Sequence, residues 1–217
     1  MLNLLKVNRE AKETTLSINR KIEYIVVHYT AGVTSKPGSA VSVADYFSHT
    51  EVKASADFIV DDAIAVQYNP DLRNRYACHC GRRKEEENRS GILSQCTNQN
   101  SIGVEICSEN RKRQITYPGD EAYYFTKAVL KNAAVLVGSL METYDIDISH
   151  VVRHYDVTGK KCPGVRGWFG TADESSEWLK FKDRAVIERD RISLQFRPKD
   201  CTGGMLSSVE LLSTTVT

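Results

Sequence analysis

The sequence predicts a single α/β domain, in which a central β-sheet is flanked by α-helices. The 217 residues, 41% of them hydrophobic, suffice for one well-cored domain and are few for two. Short apolar runs rich in β-branched residues alternate along the chain with longer segments of helical periodicity. The chain shows no internal repeat that would indicate a solenoid or an array.

An apolar strand and a short helix come first. EYIVVHYT, residues 23–30, is a β-rich run followed by Ala31-Gly32, which predicts a buried central strand. His28 is therefore expected at the C-terminal end of that strand. Residues 39–49 repeat apolar side chains at helical spacing behind serines, and this pattern predicts a short helix.

A hairpin, a loop and another strand are expected next. Apolar runs on either side of residues 61–62 predict the hairpin, although the second run, AIAVQY, could also form a short helical piece. Residues 69–100 are polar, so we expect a long surface loop. SIGVEIC, residues 101–107, alternates cleanly and turns Glu105 away from the main apolar face.

The second half of the chain predicts two helices around one strand. Residues 121–144 carry the longest apolar stripe and predict an amphipathic helix that packs on the sheet. Residues 148–154 read as a strand, and residues 174–190 as the last helix.

The two ends of the chain are expected to lie outside the domain. Residues 1–20 are predicted to be an N-terminal extension, residues 21–192 the domain itself, and residues 193–217 a mobile tail with little apolar surface to bury. The N-terminus lacks the apolar core and cleavage site of a signal peptide, so synthesis as a cytosolic protein is expected, with any export by another route.

The charge balance excludes some classes of partner. A formal net charge of +1 gives no strong field for nucleic acid. The chain has no apolar stretch of the roughly twenty residues that span a bilayer, so membrane insertion is not expected. We expect a monomer whose partner is recognised at a local site.

Three metal-ligating side chains fall at the ends of predicted elements. His28 ends the first strand, His154 ends a late strand, and Cys162 follows eight residues later. Two imidazoles and a thiolate leave a tetrahedral zinc ion one open position, as a catalytic zinc requires. Spacing alone is a weak signal, because a lone histidine is more often structural.

Three motifs carry a family resemblance. VVHYTAG, SIGVEI and RHYDVTGKKCPG, in this order, resemble the type 2 N-acetylmuramoyl-L-alanine amidases, relatives of the peptidoglycan recognition proteins and of amidase-type phage lysozymes; the resemblance covers residues 21–169. It implies a mixed sheet flanked by helices, with one Zn²⁺ ion held at strand ends by His28, His154 and Cys162. It also implies that the substrate is bacterial peptidoglycan, cut between N-acetylmuramic acid and L-alanine.

The resemblance implies roles for three further side chains. Glu105 of SIGVE corresponds to a general base, and Lys160, two residues before Cys162, to a group that stabilises the developing oxyanion. His79 of YACHCG falls where the family has a histidine in the substrate cleft, which implies a substrate contact. The alternatives are a solvated strand glutamate, a surface lysine and a solvated loop histidine.

Other functions remain open. A non-catalytic peptidoglycan-binding protein of the same fold is one alternative, although such relatives commonly lose a zinc ligand, whereas this chain keeps all three. A cytosolic wall-recycling amidase and a regulator that binds another protein are two others. The resemblance of VVHYTAG and KKCPGVRGWFG to phage and Gram-positive members favours an endolysin.

The remaining cysteines are expected to be thiols. In a chain without an export signal, disulfides are a poor default. A second, structural zinc site built on a C-x-C pair is possible from the spacing but has no matching second pair. That alternative joins Cys78 and Cys80 with Cys96 or Cys107, and Cys201 is the fifth remaining cysteine.

Overall fold

The computed structural model describes residues 2–6, 11–80, 91–92, 94–171 and 173–196. The strands in these residues are β1 (Asn3–Lys6), β2 (Thr14–Leu16), β3 (Tyr24–Tyr29), β4 (Phe58–Val60), β5 (Ile64–Gln67), β6 (Arg75–Ala77), β7 (Ser101–Ile106), β8 (Glu109–Asn110), β9 (Tyr123–Tyr124) and β10 (Val151–Arg153). The α-helices are α1 (Ser39–His49), α2 (Lys127–Tyr144), α3 (His154–Thr158) and α4 (Ser176–Phe196).

A six-stranded mixed sheet forms the centre of the molecule, which confirms the predicted fold class. Its strand order is β1-β5-β4-β7-β3-β10. Strands β4, β7, β3 and β10 run parallel to one another, whereas β5 is antiparallel to β4 and carries β1 parallel to itself. The C-terminal ends of β3, β7 and β10 therefore meet at one edge of the sheet.

The two faces of the sheet are covered by different elements. Helix α2 packs on one face, and α4 packs in turn on α2. Helix α1 covers part of the other face, and a second cluster on that face includes Cys80 and Cys96. Because β3 is covered on both faces, all six of its residues are buried, which explains its continuous apolar sequence.

Most predicted elements are confirmed, with three shifts of boundary. The amphipathic helix begins at Lys127 rather than at 121, because the Thr126 side chain caps it by accepting a hydrogen bond from the Val129 N–H. The predicted strand 148–154 is a 3₁₀ turn followed by β10, and His154 is the first residue of α3. The last helix extends to Phe196, into the segment predicted as tail.

The N-terminal segment contributes to the central sheet. Strand β1 pairs with β5, and Leu2 and Leu4 are buried in the main core. The sequence predicted an extension here, because a strand of four residues gives too short a pattern to recognise.

Two predicted regions fall partly or wholly outside the described residues. They are residues 81–90 and 93 of the long loop and residues 197–217 of the tail. The prediction of a surface loop over residues 69–100 is wrong in part, because β6 within it pairs with β2 and Ala77, Cys80 and Cys96 are buried. Among the described helices, none is both long enough and apolar enough to cross a membrane.

Candidate metal centre

His28 and Glu105 lie side by side on neighbouring strands. They are register partners near the ends of β3 and β7, so their side chains leave the sheet on the same face. That face is the one opposite α2, because the alternating residues Val27 and Val104 belong to the core beneath α2. The sequence predicted the position of His28 from a continuous apolar run and that of Glu105 from the alternation of apolar residues.

His154 and Cys162 join this pair from the neighbouring strand. His154 directly follows β10, which pairs with β3, and the chain then turns through α3. The Tyr155 N–H donates to the Cys162 carbonyl at 2.8 Å, which brings the thiol back beside the strand ends. Cys162 Sγ lies 3.6 Å from His28 Nδ1.

The three predicted ligands form a compact donor set. One ligand atom from each of His28, His154 and Cys162 lies within 4.8 Å of the other two, and all three residues are buried. A tetrahedral zinc ion with bonds of about 2.0–2.3 Å holds its donors about 3.5 Å apart. A small decrease in the distances between these three atoms would therefore bring all of them to bonding distance of one ion.

The hydrogen bonds of the two histidines fit a metal ion. His154 Nε2 donates to the Cys80 carbonyl at 3.1 Å, and His28 Nε2 lies 3.2 Å from His79 Nδ1. Each ring therefore has its Nε2 atom occupied and its Nδ1 atom available. His154 Nδ1 is buried without a hydrogen-bond partner in the described part of the chain, which an ion would supply.

Burial keeps the donor set uncharged. It lowers the pKa of His28 well below its usual value and the pKa of His154 to about 3, an effect that the charge of Lys160 adds to in both cases. Burial also raises the pKa of Cys162 to about 12. The imidazoles are thus ready as neutral ligands, whereas the thiol must lose its proton as an ion binds.

Glu105 has the properties of a general base. Its Oε2 atom is buried and has no hydrogen-bond partner among the described residues. Burial raises the pKa of Glu105 to about 7, and the positive charge of Lys160 opposes that rise. A carboxylate with a pKa near the working pH can both take up and release a proton.

Lys160 affects the site electrostatically, whereas its neighbour Lys161 contacts an aromatic ring. Lys160 is exposed, yet its charge opposes the rise that burial causes in the pKa of Glu105 and of Cys162. Lys161 is held over the ring of Phe169, with Nζ 5.5 Å from the ring centroid. This difference supports the predicted choice of Lys160 as the cation of the site.

His79 lies inside the protein rather than on a solvated loop. Its side chain is 1% exposed, and its two ring nitrogens contact His28 Nε2 and Ser101 Oγ, each at 3.2 Å. This placement favours a contact with the His28 side chain over the predicted contact with substrate. Asp57, a buried carboxylate, lies 4.0 Å from His79 Nε2, and no local sequence pattern predicted that placement.

The other cysteines do not assemble a second metal site in the described ranges. His28, His154 and Cys162 are the one cluster of such side chains found there, so the alternative of a structural zinc has no support. Cys78, Cys80, Cys96 and Cys107 are reduced thiols, as expected. Cys201 lies outside the described residues.

Comparisons with known proteins identify relatives of the chain. A family model described as N-acetylmuramoyl-L-alanine amidase matches residues 18–165. A probable N-acetylmuramoyl-L-alanine amidase of Bacillus licheniformis is 32% identical over 180 residues, which cover 80% of this chain and 44% of the relative. The chain thus spans about half the length of the curated relatives it matches.

Solved structures share the fold. A mutant endolysin from Bacillus subtilis is 26% identical, with a TM-score of 0.57, over 85% of this chain and 99% of that one. The catalytic domain of PlyG is 25% identical, with a TM-score of 0.59, over 93% of this chain and 100% of that one.

Proposed function

We propose, because the chain belongs to the N-acetylmuramoyl-L-alanine amidase family, that it hydrolyses the amide bond between N-acetylmuramic acid and L-alanine in bacterial peptidoglycan. The observation that carries this proposal is the buried donor set of His28, His154 and Cys162 beside the unpartnered carboxylate of Glu105.

One zinc ion is proposed as the cofactor. His28 Nδ1, His154 Nδ1 and the Cys162 thiolate would hold it, a donor set that suits zinc better than the harder calcium or magnesium ions. When bound there, zinc supplies Lewis acidity, which acidifies water and polarises an amide carbonyl.

Glu105 moves the proton in this reaction. Its carboxylate accepts a proton from the attacking water as the new C–O bond forms at the lactyl carbonyl carbon. It then returns that proton to the alanine nitrogen as the C–N bond breaks. The products are a free lactyl carboxylate on the sugar and a free α-amino group on the stem peptide.

Lys160 stabilises the charge that develops on the carbonyl oxygen. The residue is exposed, and its charge opposes the rise in the pKa of Glu105 and of Cys162, which supports a field that extends to the reacting groups. A cation that is already in place lowers the barrier without reorganising in the transition state.

The wall polymer is the proposed target, and the proposed biological role is that of an endolysin. The structural relatives at 25% identity or above include an endolysin of Bacillus subtilis. The wall would be reached after release from the cell in which the protein is made.

Mass spectrometry of products from purified peptidoglycan tests the proposal. We expect the products to include stem peptides with a free alanine amino group. Treatment with a chelator should abolish their formation, and added zinc should restore it. Cys162→Ser should lose zinc affinity and hydrolysis together, because a hydroxyl is a much poorer zinc ligand than a thiolate.

The outcomes separate catalysis from binding. The matched control is Cys78→Ser. The Cys78 thiol contacts the Lys53 carbonyl and not the donor set, so this variant should remain active. Binding of peptidoglycan without new amino termini would contradict the proposal and indicate a non-catalytic binding protein.

A further inference from the structure

A chain of hydrogen bonds runs from His28 into the protein. His28 Nε2 meets His79 Nδ1 at 3.2 Å, and His79 Nε2 meets Ser101 Oγ at the same distance. The Ser101 hydroxyl in turn donates to the Thr97 carbonyl. The chain therefore ends at a backbone oxygen, which can only accept.

The Thr97 carbonyl, where this series of hydrogen bonds ends, sets the donor and acceptor of the bonds before it. Because the Ser101 hydroxyl gives its hydrogen to Thr97, its oxygen is free to accept from His79 Nε2. The His79 hydrogen is then on Nε2, and its Nδ1 atom is an acceptor. Two groups could donate to that atom, His28 Nε2 at 3.2 Å and the Cys80 thiol at 3.4 Å. A thiol is a weak donor, so the imidazole N–H of His28 is the favoured one. His28 then carries its hydrogen on Nε2, which leaves its Nδ1 lone pair facing Cys162.

We propose that His79 is a positioning residue, which accepts the Nε2 hydrogen of His28 and so holds the Nδ1 atom of His28 toward the metal. The inference rests on the proposed function, because it assigns a role in building the same zinc site. It replaces the substrate contact that the sequence implied for His79. A ligating histidine is generally oriented by the partner of its other ring nitrogen.

The sheet is shaped to receive the His79 ring. A Cβ atom at Gly103 would lie 2.6 Å from His79 Cγ, so the ring packs directly on the bare backbone of β7. This contact gives the glycine of the SIGVE motif a physical reason. Any side chain at position 103 would displace the ring from His28.

Asp57 and Arg20 hold the backbone of β7 next to the His79 ring. Asp57 accepts a hydrogen bond from the Gly103 N–H at 2.7 Å and lies 4.0 Å from His79 Nε2. The Arg20 guanidinium lies 3.8 Å from Asp57 and donates to the Ser101 carbonyl at 3.0 Å. These contacts fix the position of β7 and Asp57 against the ring.

Two amide variants of His79 test the inference through zinc affinity, measured by competition with a chelator. In His79→Asn the amide oxygen can stand where the Nδ1 atom stood, whereas the longer amide of His79→Gln reaches the Nε2 position and leaves His28 without an acceptor. We expect His79→Gln and His79→Ala to weaken zinc binding about 10–100-fold. His79→Asn should retain most of the affinity.

Gly103→Ala provides an independent route to the same result. It should weaken zinc binding by displacing the ring, although it removes no polar group. In the double variant with His79→Ala the added methyl occupies the vacated space, so the two losses should not add. The absorption spectrum of the cobalt-substituted protein should change in the variants that weaken zinc binding, which are His79→Gln, His79→Ala and Gly103→Ala. His49→Ala, an exposed histidine, is the control.

The outcomes distinguish the inference from the proposed function. Wild-type zinc affinity in His79→Ala together with a raised KM would overturn the positioning role in favour of a substrate contact. Equal affinities in His79→Asn and His79→Gln would overturn it too, since the acceptor at Nδ1 would then be irrelevant. A wild-type protein that binds no zinc would overturn both proposals.

Discussion

Burial acts in opposite directions on the acidic and basic side chains of the site. It raises the pKa of Glu105 to about 7 and lowers that of His154 to about 3, because the neutral form is favoured in each case. Near neutral pH the metal-free site therefore holds neutral imidazoles and a carboxyl group that is only partly ionised. A bound cation would favour the ionised carboxylate.

The Glu105→Gln variant should separate catalysis from binding. Glutamine keeps the size and the hydrogen-bonding capacity of the side chain but cannot accept a proton near neutral pH. We expect turnover to fall on the order of a hundredfold or more, with zinc content and substrate affinity nearly unchanged. Steady-state kinetics and elemental analysis measure these quantities.

The control for this variant is Glu51→Gln, whose side chain is 96% exposed. Near wild-type hydrolysis by Glu105→Gln would mean that another group carries the proton. Loss of binding and turnover together would mean that the carboxylate holds the substrate or the metal site.

The raised pKa of Glu105 also predicts a pH-dependent difference in stability. The folded protein binds its proton up to about pH 7, whereas the unfolded chain releases it near the ordinary pKa of 4.5. The stabilising contribution is therefore complete below about pH 4.5 and is lost as the pH rises through about 7.

Metal-free Glu105→Gln should accordingly gain stability relative to the metal-free wild type above pH 7. The gain should reach at most about 3 kcal/mol, from 1.36 kcal/mol for each pKa unit, and should vanish near pH 4.5. Urea unfolding at both pH values measures it. Since both proteins share His28 and His154, a difference independent of pH would contradict the assignment.

At the scale of elements, α4 is held against α2 by a close backbone approach. A Cβ atom at Gly138 of α2 would lie 2.7 Å from the Arg189 nitrogen and 2.8 Å from the Ala185 oxygen, both on α4. Backbone atoms cannot rotate away from such a contact, so the helices themselves would have to separate.

Gly138→Ala should therefore destabilise the fold. Alanine favours a helix by about 1 kcal/mol over glycine, but overpacking in a close-packed core costs about 1–3 kcal/mol, and contact with backbone atoms lies at the upper end. We expect a net loss of about 1–2 kcal/mol in urea unfolding. The exposed Lys131→Ala on the same helix should change stability little. A gain in stability from Gly138→Ala would show that the helices adapt.

At the scale of the whole molecule, truncation tests where the domain ends. The segment after Arg197 has few apolar side chains, and the family match ends at residue 165. Removing residues 198–217 should leave hydrolysis within about twofold of the full chain and the melting temperature nearly unchanged. Early melting or precipitation of the truncated protein would show that the tail packs on the domain.

Local sequence patterns predicted the positions of His28 and Glu105 on their strands directly. A continuous apolar run predicted a buried strand that ends at His28, and an alternation with a period of two residues placed Glu105 away from the main apolar face of its strand. The helix over residues 39–49 and the hairpin after it were likewise predicted from local periodicity and are confirmed. The proposed metal-ligand roles of His28, His154 and Cys162 required the family resemblance in addition.

Tertiary structure alone decided how the site is held together. The partner of His28 is 51 residues away along the chain, and no local pattern relates the two. The same holds for β1, whose four residues join the sheet only because β5 offers an unpaired edge. A strand's periodicity fixes which face a side chain leaves from, but the atom it meets there depends on how distant segments pack, and burial then requires each polar atom to find a partner.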